Sequence, residues 1–504
     1  MTINLTEQFL SARKFGVPLI GVETPDQAAT VEQLTKAING KGLIAVLVWD
    51  IVRGLRAANE AGKAEVQRLA PDEAAQAELI NPTSMLARSL ELKDKTVVFM
   101  QNAHRFYDNE AVMQGIWNVR DPFKATGRML VLLGPTLKLP MELERDVILF
   151  DQALPSDAEL GGIIKNVYDY AGLATPTIEH NAALVRAARG LAPFPAEQAV
   201  ALSLSKTGAD VARLWELKRK MVEQTRGLAM YNSGETFSDI GGIERIKRFG
   251  RSLFTGSEPP AAVIFIDEIE KAMAGVGTGG VGDTSGTSQD QLGVLLSAMQ
   301  DNEWSGLIAV GPPGCAKSMY AKALGNTHKV PTIKLDLGSM KGSLVGQSEQ
   351  QVRAAVKIIQ AVAGKSAYWV ATCNSLSVLP PELRRRFTDG IWFFDLPDFE
   401  ERASIWATLI KRYGLNEEQH QLSNPPDDDR WTGADIRNVC SIAYRLKCSL
   451  EEASTFITPV AKSDPASIER LRKLADGAFL SASKIGTYTR KDESQSGGAR
   501  RVAI

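Results

Sequence analysis

The chain reads Gly311-Pro312-Pro313-Gly314-Cys315-Ala316-Lys317-Ser318 between the hydrophobic run 307–310 and a helical pattern. Backbone N–H groups of such a loop point at phosphate oxygens, and the following helix adds the positive end of its dipole. Lys317 is expected to reach the β- and γ-phosphate oxygens, and the Ser318 hydroxyl to hold Mg²⁺. The segment predicts a nucleoside-triphosphate site formed by these eight residues and Met319.

Ala316 departs from the pattern G-x-x-x-x-G-K-[ST], which has glycine at that position. If the backbone there needs a positive φ, alanine costs about 1–2 kcal/mol; if it does not, alanine is harmless. The alternative to a phosphate loop is a plain Gly/Pro turn. The strand–loop–helix context favours the phosphate loop.

A second strand pattern, residues 261–266, is continuously apolar and ends at Asp267 and Glu268. Buried parallel strands read as such runs, and residues at their carboxyl ends face the ligand crevice. We expect Asp267 to hold Mg²⁺ and Glu268 to orient and deprotonate the attacking water. The alternative is a strand followed by an acidic helix N-terminus, which the helix dipole also favours.

Two further segments place polar groups beside predicted strands. Asn374 follows the buried-strand run 366–373, and its amide suits the γ-phosphate or the attacking water. The arginine run 384–386 precedes an aromatic strand pattern at 391–394. Three guanidinium groups cannot all be neutralised locally, and an arginine inserted into a neighbouring subunit's site stabilises transition-state charge. The alternative is a solvated basic turn.

These segments resemble the AAA branch of the AAA+ ATPases over about residues 235–480. Asp267-Glu268 resembles the Walker B pair, Asn374 resembles sensor 1, and Arg385 and Arg386 resemble arginine fingers. Asp239-Ile240-Gly241-Gly242 resembles the entry segment on the adenine side, and Thr432-Gly433-Ala434-Asp435-Ile436 resembles the lid motif near the adenine. The resemblance implies nucleotide contacts from Asp239, Ile240, Gly241, Gly433 and Ala434.

The likeness is strongest to the AAA proteins named after hypothetical chloroplast open reading frame forty-six, and it includes the N-terminal half. It implies an α/β fold, with a parallel P-loop sheet, a C-terminal helical lid and an N-terminal degenerate ATPase-like α/β domain. It further implies ATP hydrolysis with Mg²⁺ as the cofactor. By the same resemblance the chain forms a homo-oligomeric ring, such as a hexamer, that remodels a protein substrate or adaptor.

The order of the blocks departs from that family, in which the lysine loop precedes the Asp-Glu strand. We interpret the core as internally permuted, with strand 3 and its helix placed before strand 1. The helix pattern 291–299 has apolar residues at i, i+3, i+4 and i+7, so it can cover one sheet face, and residues 301–306 lead into the next parallel strand. The alternative is that the permutation disables catalysis and leaves a nucleotide-regulated scaffold or switch.

The amino-acid composition limits the classes of protein to which this chain can belong. The 504 residues are 44% hydrophobic and 23% charged, with a formal net charge of −1, which is typical of two or three soluble domains and indicates no nucleic-acid partner. The four cysteines lack metal-ligand spacing and favour a reducing cytoplasm. The N-terminus lacks the regions of a signal peptide, and no apolar stretch reaches membrane-spanning length, so we expect a cytoplasmic protein without membrane contact.

Residues 1–175 are predicted to form a second α/β sheet from the apolar runs 17–22, 43–49, 96–100, 129–133 and 147–150. The third run ends in Gln101-Asn102, where an active site would want an acidic pair, so a structural or partner-binding role is expected. The other predicted divisions are a helical linker at 176–234, the ATPase core at 235–398, a helical lid at 399–482 and a disordered tail at 483–504.

Two loops of the second half of the chain have sequences that suggest a role. The Gly-rich stretch 275–287 follows the acidic strand directly and is predicted to be mobile. Residues 340–349 resemble the AAA segment that grips polypeptide in a central pore, with Leu344 at the usual aromatic position. An aliphatic side chain offers less contact area than an aromatic one. A simple turn after strand 2 is the alternative.

Overall fold

The computed structural model describes residues 4–39, 44–231, 234–272, 287–340, 347–364, 366–376 and 379–490. Contacts divide the chain into two compact units, Met1–Val185 with Ala192–Ala209, and Arg186–Leu191 with Asp210–Ile504. The predicted domain boundaries at 175 and 234 fall inside these units and stay predictions. Most of the predicted Gly-rich loop, the pore segment around Leu344 and the tail from residue 491 lie outside the described residues.

The first unit is built on a twisted sheet with helices on its faces. Its described strands are β1 (Leu19–Glu23), β2 (Val46–Asp50), β3 (Gly54–Ala57), β4 (Val97–Met100), β5 (Met129–Gly134) and β6 (Ile148–Asp151), in the order β3-β2-β4-β5-β1-β6. Along β4, Val98 and Met100 face one hydrophobic core while Val97 and Phe99 face the other. Burial on both faces explains the continuous apolar runs.

The helices of the first unit alternate with these strands. They are α1 (Leu5–Lys14), α2 (Gln27–Asn39), α3 (Glu60–Leu69), α4 (Glu73–Glu78), α5 (Pro82–Arg88), α6 (Glu110–Thr126), α7 (Asp157–Tyr170), α8 (Ile178–Ala188) and α9 (Pro193–Ser203), followed by the short strands β7 (Leu204–Ser205) and β8 (Gly208–Ala209). The predicted α/β class is confirmed here. Sequence reasoning missed β3, which pairs antiparallel with β2, because it is short and Arg56 interrupts its apolar pattern.

The main part of the second unit, from Asp210 onward, starts with α10 (Val211–Glu223) and carries a seven-stranded sheet. Its described strands are β9 (Leu228–Tyr231), β10 (Ala262–Ile266), β11 (Ser305–Val310), β12 (Thr332–Leu335), β13 (Ala367–Cys373), β14 (Ile391–Phe393) and β15 (Leu480–Ser481). The helices between them are α11 (Glu244–Thr255), α12 (Ile269–Ala272), α13 (Thr287–Asp301), α14 (Lys317–Thr327), α15 (Gln347–Ala363) and α16 (Pro381–Arg386).

The strand order of this sheet is β15-β14-β11-β13-β10-β12-β9. β13 lies between β10 and β11 and is parallel to both, with Ile266 opposite Ala371 and Val310 opposite Cys373. The carboxyl ends of these three strands therefore meet at one edge of the sheet. β10 precedes β11 in the chain, yet both contribute their ends to that edge.

A helical segment lies between β14 and β15 in the chain. It contains α17 (Phe399–Tyr413), α18 (Glu417–His420), α19 (Gly433–Leu446), α20 (Leu450–Ser454), α21 (Val460–Ser463) and α22 (Pro465–Ala475). α17 and α19 enclose a separate small core around Trp406 and Trp431. The prediction of helix to residue 482 is wrong at its end, because β15 pairs in parallel with β14.

Two further predictions need correction. The linker 176–234 is not wholly helical: β9 pairs antiparallel with β12, and Leu228 and Met230 alternate as buried residues. Buried and less buried residues alternate over only four positions here, directly after a helix, and such a short alternation is not enough to predict a strand. Disorder from residue 483 is also wrong as far as residue 490, because Tyr488 is buried and its Oη donates to Asp395 Oδ2 at 2.7 Å.

Candidate nucleotide site

The glycine-rich loop connects the end of β11 to the start of α14. Ala316 immediately precedes the helix with φ 63° and ψ 12°, the left-handed region. Lys317 is buried, and its Nζ donates to the carbonyl oxygens of Gly311 and Pro312 at 2.7 Å each. Burial lowers the pKa of the Lys317 ammonium. The loop thus surrounds a lysine whose charge has been largely removed from water, where an anion would be strongly attracted.

Two glycines of the loop allow close approach of other backbone and side chains. A Cβ atom at Gly311 would lie 2.1 Å from the carbonyl oxygen of Phe394. A Cβ atom at Gly314, where φ is 84°, would lie 2.6 Å from Thr432 Oγ1. The first contact fixes the loop against the segment after β14, and the second against the start of α19. Neither position tolerates a larger residue without movement.

Asp267 lies just beyond β10 and contacts both neighbouring elements. Its Oδ1 accepts hydrogen bonds from Ser318 Oγ at 2.8 Å and from Thr372 Oγ1 at 2.8 Å. Ser318 belongs to the first turn of α14, whereas Thr372 is a fully buried residue near the end of β13. The predicted metal pair, Ser318 and Asp267, is therefore in direct contact, although the two residues belong to separate blocks of the chain.

Glu268 follows in the left-handed region, with φ 49°. Its backbone N–H donates to Thr372 Oγ1 at 2.9 Å, so one hydroxyl connects Asp267 and Glu268 to β13. Asn374 Nδ2 donates to Glu268 Oε1 at 3.2 Å, and the Asn374 backbone N–H donates to Glu270 Oε1 at 2.9 Å. The predicted base and the predicted polar sensor are thus hydrogen-bonded to each other.

These residues line one cavity of about 530 Å³, which is within the range of small-molecule sites. Fourteen of the predicted site residues line it. The predicted nucleotide-binding residues among them are Asp239, Ile240, Gly241, Pro313, Gly314, Ala316, Lys317, Ser318, Met319, Gly433 and Ala434, and the predicted metal and catalytic residues are Asp267, Glu268 and Asn374. Gly311 and Pro312 lie behind this surface as acceptors for Lys317, and the Cys315 thiol is buried in the adjacent core.

The helical segment closes over the same cavity. α19 starts with a capping box, in which Thr432 Oγ1 accepts from the Asp435 N–H at 3.2 Å and Asp435 Oδ2 accepts from the Thr432 N–H at 2.8 Å. This box presents the Ala434 N–H to the carbonyl oxygen of Gly314 at 3.3 Å. The start of α19 is therefore attached directly to the phosphate-type loop.

The entry segment lies against α17. A Cβ atom at Gly241 would be 2.6 Å from the backbone nitrogen of Ile405, so only glycine fits there. The Ile243 N–H donates to Glu401 Oε1 at 3.0 Å. Asp239 Oδ2 accepts from the Thr236 N–H at 2.7 Å. These contacts hold the segment at the rim of the cavity, beside α17.

Arg385 and Arg386 lie elsewhere. They end the short helix α16, and the lining of the cavity includes neither of them. Arg386 Nη2 donates to Gln300 Oε1 on α13 at 2.6 Å, while Arg385 is exposed. The structure therefore brings Asp267, Glu268 and Asn374 together with the lysine loop but keeps both arginines outside their own cavity.

Sequence reasoning missed several residues of the site. Thr372 gave a local signal, because it is polar and comes just before the end of a buried-strand run. Arg412 lines the rim through an ion pair with Glu235, whose Oε1 is 3.2 Å from Arg412 Nη2, and such a long-range pair leaves no local pattern. The remaining unpredicted lining residues are Glu235, Lys322, Ile405, Thr408, Leu409 and Arg437.

The donor set fits Mg²⁺. Ser318 Oγ and Asp267 Oδ1 are oxygen atoms of the kind that Mg²⁺ prefers, and they lie 2.8 Å apart. Within the described ranges, no group of three or more His, Cys, Asp or Glu side chains could hold a metal alone. Mg²⁺ commonly uses one or two protein oxygens and completes its shell with water and substrate phosphates. A pair of oxygens beside a lysine loop is therefore a suitable site for Mg²⁺ with a nucleotide.

None of the helices within the described residues has both the length and the apolar character needed to cross a membrane.

Both halves of the chain match known protein families. Residues 307–367 match the family model of ATPases associated with various cellular activities (AAA), and residues 4–152 match the N-terminal domain of SpoVK-like AAA ATPases. The chain is 22% identical to the uncharacterized AAA domain-containing protein ycf46 of Guillardia theta, over 95% of this chain and 96% of that protein. It is 21% identical to the protein of the same name from Pyropia yezoensis, over 95% of this chain and 100% of the relative. The chain therefore carries an AAA domain and is homologous to the ycf46 proteins over most of its length.

Proposed function

We propose that this AAA-domain protein binds ATP with Mg²⁺ and hydrolyses the bond between the β- and γ-phosphates. One observation carries the proposal: Lys317, Ser318, Asp267, Glu268 and Asn374 line a single cavity. Ser318 is hydrogen-bonded to Asp267 and Asn374 to Glu268, while Lys317 is held by the carbonyl groups of its own loop. A buried lysine, a hydroxyl, a carboxylate beside the hydroxyl and a second carboxylate are the groups that phosphoryl transfer to water requires.

Each residue has a distinct role in this reaction. Lys317 binds the β- and γ-phosphate oxygens, and Ser318 and Asp267 hold the metal. Mg²⁺, when bound, neutralises charge on the phosphate oxygens. Glu268 accepts a proton from the attacking water while the water oxygen forms a bond to the γ-phosphorus. The bond from that phosphorus to the β–γ bridging oxygen breaks, so the products are ADP, inorganic phosphate and a proton.

Thr372 and Asn374 position the two carboxylates. The Thr372 hydroxyl donates to Asp267 and accepts from the Glu268 N–H, so it fixes the turn between them. Asn374 holds Glu268 Oε1 at 3.2 Å. Both come from β13, the strand between β10 and β11. In this account the middle strand aligns the acidic turn with the lysine loop, which explains how blocks in reversed chain order can form one site.

We further propose that Arg386, helped by Arg385, acts on the nucleotide of a neighbouring subunit. Both lie outside their own cavity, which supports a role in trans. An arginine supplied from outside stabilises charge on the transferred phosphoryl group. This assignment requires a homo-oligomer, and we propose a ring, such as a hexamer, that remodels a protein partner. The buried cysteine thiols suit a reducing compartment such as the cytoplasm.

A nucleotide-regulated scaffold with little turnover is the second candidate. It is favoured by the hydrogen bonds that Glu268 already accepts, from Asn374 at 3.2 Å and from Lys271 at 2.5 Å. A carboxylate occupied on both oxygens is a poorer proton acceptor. Under this alternative the protein binds ATP and changes its assembly without consuming the nucleotide.

Steady-state phosphate release by the purified protein, compared with Glu268→Gln, separates the two candidates. The hydrolase account predicts that Glu268→Gln keeps ATP affinity, measured by calorimetry, while turnover falls about 10²-fold or more. A wild-type rate in Glu268→Gln contradicts Glu268 as the base. Tight ATP binding by the wild-type chain without phosphate release favours the scaffold.

The trans role has its own test. Arg386→Ala and Glu268→Gln proteins, each inactive alone, are mixed under conditions in which mixed rings form. Each mixed ring contains interfaces that pair an intact Glu268 site with an intact Arg386, so turnover should recover in part. Absence of recovery, with mixed assembly verified by mass measurement, contradicts the assignment of Arg386.

A further inference from the structure

Glu268 is held from two sides by residues of different kinds. Asn374 Nδ2 donates to its Oε1 at 3.2 Å, and Lys271 Nζ donates to its Oε2 at 2.5 Å. The lysine bond joins an ammonium group to a carboxylate, which makes it shorter and stronger than a bond from a neutral amide. Both oxygens of the proposed base therefore accept a hydrogen bond, and the stronger one comes from Lys271.

The local backbone brings Lys271 to this carboxylate. The Lys271 N–H donates to the Glu268 carbonyl oxygen at 2.9 Å, which closes a turn at the start of α12. The Lys271 side chain is 70% exposed, so it reaches back over the turn from solvent. Its pKa is raised first by the hydrogen bond to Glu268 and then by its charge, with smaller contributions from Glu270 and Asp267.

We infer that Lys271 is a positioning residue that restrains Glu268 and slows ATP hydrolysis. The inference rests on the proposed function. The attacking water needs an oxygen of this carboxylate for its proton, and Lys271 occupies Oε2 while presenting a positive charge to that proton. Asn374 holds the other oxygen without a charge. Lys271 therefore makes the carboxylate a weaker proton acceptor, and its removal accelerates the step.

The test compares Lys271→Met, which keeps the length of the side chain but removes its charge and donors, with Lys271→Arg. We expect kcat of Lys271→Met to rise about two- to fivefold, the scale of one exposed ion pair, with KM for ATP unchanged. Lys271→Arg should stay near the wild-type rate because it restores a cation. Lower or unchanged kcat in Lys271→Met overturns the inference, as does a change confined to KM.

Lys63→Met is the matched control. Lys63 forms an equally local, exposed ion pair with Glu60, three residues before it, at 2.6 Å, in the first unit. Removing that pair should leave kcat unchanged, and an equal rise there would show a general effect of lost surface charge.

Glu268→Gln, alone and combined with Lys271→Met, distinguishes a failure of the proposed restraint by Lys271 from a failure of Glu268 as the proposed base. If Glu268→Gln abolishes turnover, and Lys271→Met does not turn over ATP faster than the wild type, the restraint is wrong and the proposed function stands. If Glu268→Gln hydrolyses ATP like the wild type, both the restraint by Lys271 and the assignment of Glu268 as the base are wrong. The double variant should gain nothing over Glu268→Gln, because the restraint acts only through that carboxylate.

Discussion

Replacing Ala316 by glycine should stabilise the second unit. Ala316 has φ 63°, a conformation that costs a non-glycine residue about 1–2 kcal/mol. Glycine removes that strain but adds about 0.5–1 kcal/mol of backbone entropy to the unfolded chain. At the midpoints of these two ranges the net gain in the free energy of unfolding is about 0.75 kcal/mol, and the ranges themselves allow about 0–1.5 kcal/mol. ATP affinity should be retained, because the loop keeps its backbone N–H groups and Lys317.

The measurement is urea unfolding without nucleotide, followed by tryptophan fluorescence, since most tryptophans lie in the second unit. Omitting nucleotide removes stabilisation by ligand binding from the comparison. Ala407→Gly, at an exposed position inside α17, is the matched control and should lower the free energy of unfolding by about 1 kcal/mol. Equal destabilisation by both variants would refute the argument, because it would mean that Ala316 is not strained.

Three other perturbations have defined outcomes. Lys317→Ala should abolish ATP binding, because it removes the charge that meets the β- and γ-phosphates; unchanged affinity in calorimetry, in a folded variant, contradicts this. Thr372→Val should lower kcat while ATP affinity is kept. It should cost about 1–3 kcal/mol of stability, because Asp267 loses a donor and the partly buried N–H of Glu268 loses its acceptor; an unchanged kcat argues against the positioning role. Burial, with a smaller effect of Arg189, lowers the pKa of Lys218 from 10.5 to about 7, so the unfolded chain binds more protons between these values and stability should rise with pH across that window. Urea unfolding at pH 7 and pH 9 should show this rise in the wild type and its loss in Lys218→Met; equal pH dependence in both contradicts it.

The strands that carry the site could be predicted because each contains a continuous apolar run, followed by the acidic pair, by Asn374 or by the glycine-rich loop. Physical chemistry of parallel sheets then brings Asp267, Asn374 and the end of β11 to one edge, whatever their order along the chain. The close contact between Asp267 and Ser318, at 2.8 Å, agrees with that expectation. The sequence also identified Ala316 as a position of conditional strain, and the structure gives it a positive φ.

Other features could not be predicted from local patterns. The left-handed conformation of Glu268 and the bond from Lys271 depend on how the acidic turn is held against β13. The ion pair between Arg412 and Glu235 joins residues far apart in the chain. β9 has only four residues, and its pairing with β12 depends on burial at the sheet edge. Such contacts arise from tertiary packing, and the periodicity of hydrophobic residues within a single segment does not predict them.

The central claim is that blocks in reversed chain order form one site for ATP and Mg²⁺. A structure of the Glu268→Gln protein with both ligands bound tests it most directly. We predict that the triphosphate lies along the loop with Lys317 Nζ at its phosphate oxygens, and that the metal lies between the triphosphate and the pair formed by Ser318 and Asp267. A nucleotide bound elsewhere, or a metal held by residues away from Asp267, would contradict the account.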